Sequence, residues 1–220
     1  MTAAGAVPHR AVVFDLDGTL VHSAPDLHAA VNAALRDHGR VAVTLDQVIS
    51  FIGNGVSKLV ERALNATGGV TPELHTAALD RFMESYNADM TRLTEPYPGV
   101  MACLQSLKDR GVPMGLCTNK PEDPARHICD VLGLSPYLSV IVGARQGVAH
   151  KPDPEPLLSC IAELGATPAD TVYVGDSAVD CETALRAGVP FRFFTGGYLN
   201  SELPPLSDDQ RFDSWQDHGL

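Results

Sequence analysis

An α/β fold, a doubly wound parallel sheet core with an inserted all-α cap domain, is what the sequence predicts on three observations. Five short, mostly apolar runs, at residues 11–14, 112–117, 139–142, 171–174 and 189–194, have the length and continuous hydrophobicity of strands buried on both faces. The later runs alternate with helix-period segments that close on Gly111, Gly133, Gly165 and Gly188, as C-terminal caps do. Such alternation implies parallel pairing with right-handed crossovers. Between the first run and the second lie about 95 residues, where a crossover needs only ~10–12. The 220 residues also exceed the usual single domain of ~100–150 residues, which fits a core with an insert.

In chain order, the run at 11–14 stops abruptly at Asp15, as a buried strand ending at a sheet edge should. The insert follows. Leu27, Val31, Ala34 and Leu35 share one helical face, and so do Val56, Leu59, Val60, Ala63 and Leu64. Thr44 with Gln47 fits a capping box, and Thr71-Pro72-Glu73 fits an N-cap with proline at the first helical position. The turn signal Pro96-Tyr97-Pro98-Gly99 marks re-entry into the sheet. The expected division is residues 1–23 plus 91–220 as the α/β core and 24–90 as the helical cap. Beyond Tyr198 the chain is rich in Asp, Ser and Pro, but Phe212 and Trp215 suggest that part of this tail packs back.

Composition narrows the function. Lys and Arg number 16 against 27 Asp and Glu, a net charge of −11 that repels phosphate backbones and argues against a nucleic-acid partner. No run approaches the ~18–20 apolar residues that span a bilayer, and the first ten residues carry no apolar run before a cleavage site. Neither membrane nor export is expected. The five cysteines, with no paired or zinc-type spacing, read as reduced thiols in a cytoplasmic core. His9, His38, His75, His127 and His218 read as surface or capping residues, with only His22 and His28 near the expected cleft.

In parallel α/β sheets ligands bind at the carboxyl ends of the strands. After the first run comes Asp15-Leu16-Asp17-Gly18-Thr19; after the second, Thr118-Asn119-Lys120; after the fourth, Gly175-Asp176 with Asp180 beyond; and Lys151 follows the third by a loop. Four acids on one rigid edge call for a neutralising cation, and clustered carboxylates suit a hard ion such as Mg²⁺. A calcium EF-hand loop does not fit, because its glycine is misplaced and a strand leads in. Asp15 and Asp17 as mere turn caps would compete if they stood alone.

These segments, Asp15-Leu16-Asp17-Gly18-Thr19-Leu20, Thr118-Asn119, Lys151 and Gly175-Asp176-Ser177 with Asp180, resemble in order and spacing the four motifs of the haloacid dehalogenase superfamily of phosphohydrolases. Within it, Phe51-Ile52-Gly53-Asn54-Gly55-Val56, Thr118-Asn119-Lys120-Pro121 and Lys151-Pro152-Asp153-Pro154 are similar to bacterial phosphoglycolate phosphatases. The resemblance implies a Rossmann-like core and a Mg²⁺-dependent phosphomonoesterase. Asp15 would be its nucleophile and Asp17 its acid and base. Thr118 and the Asn119 N–H would hold phosphoryl oxygens, and Lys151 would supply fixed positive charge. It further implies Mg²⁺ at Asp15, Asp176 and the Asp17 carbonyl, with Asp180 behind them and Thr19 among the substrate-binding groups. The insert offers Gly53-Asn54-Gly55 and Lys58 at a helix start, an expected anion nest for a substrate carboxylate. One residue departs from the family pattern, His22 at the site entrance where Asp is usual. A phosphatase for another small phosphate ester is the alternative, then a sugar phosphomutase. The partner expected is a small-molecule phosphate ester, bound by a monomer or homodimer.

Overall fold

The structure is a computed structural model that describes residues 10–216 and 219–220. His9 and His218, and the start of the chain on which the expected lack of an export segment rests, lie outside the described residues. Among the described residues no helix is long and apolar enough to cross a membrane.

Strand β1 (Ala11–Phe14) lies at the centre of a six-stranded sheet and pairs in parallel with β4 (Met114–Pro121) on one side and β6 (Thr171–Gly175) on the other. Strand β5 (Val140–Ala144) extends the sheet beyond β4; β7 (Phe191–Phe194) and β8 (Arg211–Phe212) extend it beyond β6, giving the order β5-β4-β1-β6-β7-β8. All of these pairings are parallel. The chain therefore leaves β1 in one direction and later returns to its other side, which opens a crevice beyond the carboxyl ends of β1, β4 and β6. Phe14 is level with Leu116 and Val174, so the residues that follow these strands emerge together.

Helices α5 (Val100–Asp109), α6 (Glu122–Val131), α7 (Glu155–Glu163) and α8 (Ala178–Ala187) link the strands. Gly111, Gly133, Gly165 and Gly188 close them with φ between 66° and 72°, the left-handed value that spares glycine a Cβ clash. Two expected strands start two residues late. Pro113 and Pro190 lack the N–H that ladder pairing needs, so β4 begins at Met114 and β7 at Phe191. At its other end β4 runs on past Cys117 through Thr118, Asn119 and Lys120, with an irregular register there. Those residues are thus part of the strand and not of a loop after it.

The insert holds α1 (Ala24–Asp37), α2 (Leu45–Phe51), α3 (Val56–Ala66) and α4 (Pro72–Ala88). The Thr44–Gln47 capping box is formed in both directions, and the Thr71 hydroxyl accepts from the Leu74 N–H. Leu27, Val31, Leu35, Leu59, Val60 and Leu64 are buried and continuous with the core residues Val12 and Phe14. Three short strands lack any periodic signal. Strands β2 (Val21–His22) and β3 (Glu95–Pro96) form a two-residue antiparallel ribbon where the chain enters and leaves the insert, and β8 adds two residues of tail to the sheet edge. Trp215 is buried against Phe14, Phe194 and Phe212, at ring-centroid distances of 6.0, 5.5 and 5.1 Å, which seats the tail over the sheet.

Candidate active site

The crevice gathers side chains from separate parts of the chain. Its lining on the sheet side includes Asp15, Asp17, Thr118, Asn119, Lys120, Lys151 and Asp176; on the insert side, Leu27, Ile52, Gly53, Gly55, Val56 and Leu59.

Asp15 follows β1, its N–H donating to the Val174 carbonyl at 2.9 Å, and its Oδ1 accepts from Lys151 Nζ at 2.8 Å. Burial pushes its pKa from the usual 3.8 up to about 6, with Lys151 pulling down and Asp180 pushing up. Lys151 donates also to Asp180 Oδ1 at 2.7 Å and lies 2.9 Å from the Tyr173 hydroxyl. Burial opposes its charge, but Asp15 and Asp180 outweigh it and raise its pKa. Asp180 caps α8 in a reciprocal box with Ser177. Its position behind Lys151 explains why it is fully buried.

Asp176 is held at both oxygens, by the Thr19 hydroxyl at 2.6 Å and the Tyr198 N–H at 2.6 Å. Burial, with Asp180 and Asp15 nearby, raises its pKa well above the usual range. A side chain at Gly18, where φ is 89°, would collide with this carboxylate, so only glycine lets the loop after β1 pass so close. Thr19, expected among the substrate-binding groups, is completely buried and its hydroxyl donates to Asp176.

Asn119 does more than offer its N–H. Its side chain exchanges two 2.9 Å hydrogen bonds with the backbone of Lys151 and donates to the Gly53 carbonyl at 3.2 Å. It thereby ties the lysine loop and the insert to one strand. The insert departs most from expectation. Asn54 is exposed and accepts from Arg62 at 2.8 Å. Lys58 is 47% exposed, pairs with Glu61 at 2.8 Å and is absent from the cleft lining. An exposed lysine gains its partner at the next helical turn at little cost, so neither it nor Asn54 completes an anion nest here. His22 is also off the lining. It sits in the ribbon between the rings of Tyr97 and Tyr198, its Nδ1 2.8 Å from the Tyr198 hydroxyl, and burial lowers its pKa. His28 is engaged with Asn32 and the Val43 carbonyl inside the insert.

Lys120, Tyr173 and Tyr198 were not singled out from the sequence as site residues. Lys120 Nζ lies 3.1 Å from both oxygens of Asp17 and 4.9 Å from the centre of the Tyr86 ring of α4. Burial opposes its charge, but Asp17 and Tyr86 outweigh it and raise its pKa. A neutralising cation was expected to be essential for four clustered acids, and two buried lysines supply part of that charge. Four carboxylates against two ammonium groups still leave two formal negative charges. Carboxylate oxygens of Asp15, Asp176 and Asp180 lie within 4.8 Å of one another, a hard, all-oxygen donor set that fits a divalent ion such as Mg²⁺.

A family model for haloacid dehalogenase-like hydrolases matches residues 9–188. The chain is 46% identical to a phosphoglycolate phosphatase of Cereibacter sphaeroides over 94% of its length and 95% of the relative's. It is 45% identical to phosphoglycolate phosphatase 1 of Pseudomonas aeruginosa, over 91% of this chain and 76% of that one. Among solved structures, one from Haemophilus somnus described as a predicted phosphoglycolate phosphatase superposes with a TM-score of 0.89, at 29% identity and covering 97% of each chain.

Proposed function

The chain belongs to the haloacid dehalogenase-like hydrolases, and from that premise we propose that it hydrolyses 2-phosphoglycolate to glycolate and phosphate through an aspartyl phosphate at Asp15, with Mg²⁺ as cofactor. One observation carries the reading. Asp15 and Asp17, two residues apart at the end of β1, face different lysines, Lys151 and Lys120 respectively. Asp15 shares Lys151 with Asp180 and belongs to the carboxylate set that could hold a divalent ion. The Asp17 carboxylate lies outside that set on Lys120, which leaves Asp15 placed to attack and Asp17 to move protons.

In the first step an Asp15 oxygen bonds to phosphorus as the bond from phosphorus to the glycolate oxygen breaks, and Asp17 gives its proton to the departing alcohol. In the second, water attacks the same phosphorus, Asp17 takes the water's proton, and the bond to Asp15 is released. Thr118 and the Asn119 N–H hold phosphoryl oxygens throughout, and Lys151 offsets the charge that accumulates beside Asp15. When bound at Asp15, Asp176 and the Asp17 carbonyl, with Asp180 behind them, Mg²⁺ would draw charge from the phosphoryl oxygens.

Residues 24–90 act as a cap that closes over the crevice and excludes water. The space beneath is about 50 Å³, a tight site that suits a small ester. The apolar cap lining, Leu27, Ile52, Val56 and Leu59, speaks against a second phosphate and hence against the mutase alternative. Five buried, unpaired cysteines suit a reducing cytoplasm.

The test is a panel of small phosphate esters with and without Mg²⁺. The expected result is the highest kcat/KM for 2-phosphoglycolate, loss of turnover with a chelator, and recovery on adding Mg²⁺. A sugar phosphate preferred over 2-phosphoglycolate would replace the substrate assigned here.

A further inference from the structure

The substrate carboxylate needs a cationic partner, and the cap does not provide one. Lys58 is exposed and paired with Glu61, while Arg62 donates to the Phe51 carbonyl at 2.7 Å and to Asn54. Among the described residues that line the cleft, the cations are Lys120 and Lys151. An ammonium group has three N–H donors. Those of Lys151 already face three oxygens within 2.9 Å, on Asp15, Asp180 and Tyr173. Lys120 faces one carboxylate, with both oxygens at a longer 3.1 Å, and the flat face of Tyr86. Its ammonium can therefore take a second carboxylate.

Position points the same way. The glycolate carboxylate is one methylene from the leaving oxygen, and the leaving oxygen must lie beside Asp17 to receive its proton. A carboxylate so placed falls next to whatever Asp17 touches, which is Lys120 Nζ. Thr118 and Lys120 lie two residues apart on β4, ~7 Å along an extended chain, so one rigid strand carries a phosphate ligand at one point and a cation further along.

We propose that Lys120 determines specificity by binding the carboxylate of the leaving group, so that β4 recognises both ends of the substrate. The proposal rests on the reading of 2-phosphoglycolate as substrate. With only 2% of its side chain exposed, Lys120 makes this contact out of water, where a charge pair is stronger than on the surface.

The experiment compares 2-phosphoglycolate with its neutral amide, 2-phosphoglycolamide, in Mg²⁺-loaded wild type, Lys120→Met and Lys120→Arg. Both leaving groups are poor, so any disturbance of Asp17 lowers both rates alike and cancels in the ratio of kcat/KM. Active fraction cancels too. The expected result is a wild-type preference for the acid that falls at least ~30-fold in Lys120→Met, mostly through KM, and is partly restored in Lys120→Arg. If the wild type shows no preference, the assigned substrate fails and the proposal with it. If the wild type prefers the acid and Lys120→Met keeps that preference, Lys120 alone is refuted. A preference no higher in Lys120→Arg than in Lys120→Met also overturns the assignment of charge. Should Lys120→Met lack turnover, calorimetric titration of the variant with 3-phosphonopropionate and n-propylphosphonate gives the same comparison; retained discrimination between them refutes the proposal, and lost discrimination supports it.

Discussion

Asp15→Asn is expected to lower turnover of 2-phosphoglycolate by about 10⁴-fold or more while leaving the fold intact. The amide has the shape of the carboxylate but lacks its nucleophilic oxygen. The neighbours that position it are undisturbed: the residue's N–H still donates to Val174, and an amide oxygen can still accept from Lys151. Stability should respond with a definite sign. In the metal-free protein burial raises the Asp15 pKa from 3.8 to about 6, so between these values the folded chain binds more protons than the unfolded one, and the ionised group costs stability as pH rises through that window. Asparagine removes the cost. The melting temperature of the metal-free variant, relative to wild type, should therefore rise from pH 4 to pH 7. Two measurements check this. Intact-mass analysis of acid-quenched turnover should find a phosphoryl adduct in wild type and none in the variant, and melting curves at the two pH values should diverge in the stated direction. Turnover by Asp15→Asn at the wild-type rate would remove the covalent mechanism.

The parts of this site that were legible in the sequence share one property: they sit where a local signal ends. Asp15 interrupts an apolar run, Asp176 follows another, and Lys151 stands among prolines in a short loop. A buried parallel strand must end at the ligand-bearing edge, so the position of the acid is implied by the hydrophobic run before it. Lys120 follows the second apolar run as one of three polar residues, but nothing local says what it faces. Its partner Asp17 is 103 residues away, and the apolar run that announced β4 stops at Cys117 although the backbone stays extended to Pro121. Polar residues inside a strand break the pattern that reveals the strand. Lys58 shows the converse: a cation at a helix start beside Gly53 and Gly55 has the sequence of an anion site, yet Glu61 three residues on satisfies it. The two-residue strands β2, β3 and β8 are too short for periodicity and exist because longer elements bring them together. Thr19 was legible as a polar residue at the edge, but whether its hydroxyl faces substrate or Asp176 depends on the loop after the neighbouring strand β6, 157 residues on in the chain.

Lys151→Met is expected to damage folding as well as turnover, because the lysine ammonium is the common partner of Asp15 and Asp180. Removing one side of a buried charge pair costs about 3–5 kcal/mol, which for a chain of this length lowers the melting temperature by roughly 6–20 °C. The pH dependence separates lost charge from lost packing. Lys151 is the strongest influence holding down the pKa of Asp15 against burial. Without it the folded-state pKa climbs further above the unfolded value, so the folded variant takes up protons as pH falls, and each proton relieves repulsion among Asp15, Asp176 and Asp180. Stability lost at pH 8 is thus partly regained at pH 5, and the gap to wild type should widen as pH rises. Methionine fills similar volume, so a packing defect alone would give the same gap at both pH values. Mg²⁺ offers a second handle, since a divalent ion at the carboxylates should recover part of the melting temperature in the variant but no turnover, the charge beside the transferred phosphoryl group being still absent. An equal gap at pH 5 and pH 8 would mean that Lys151 holds the loop by packing and by its backbone bonds to Asn119, and the neutralisation of this cluster would then have to come from elsewhere.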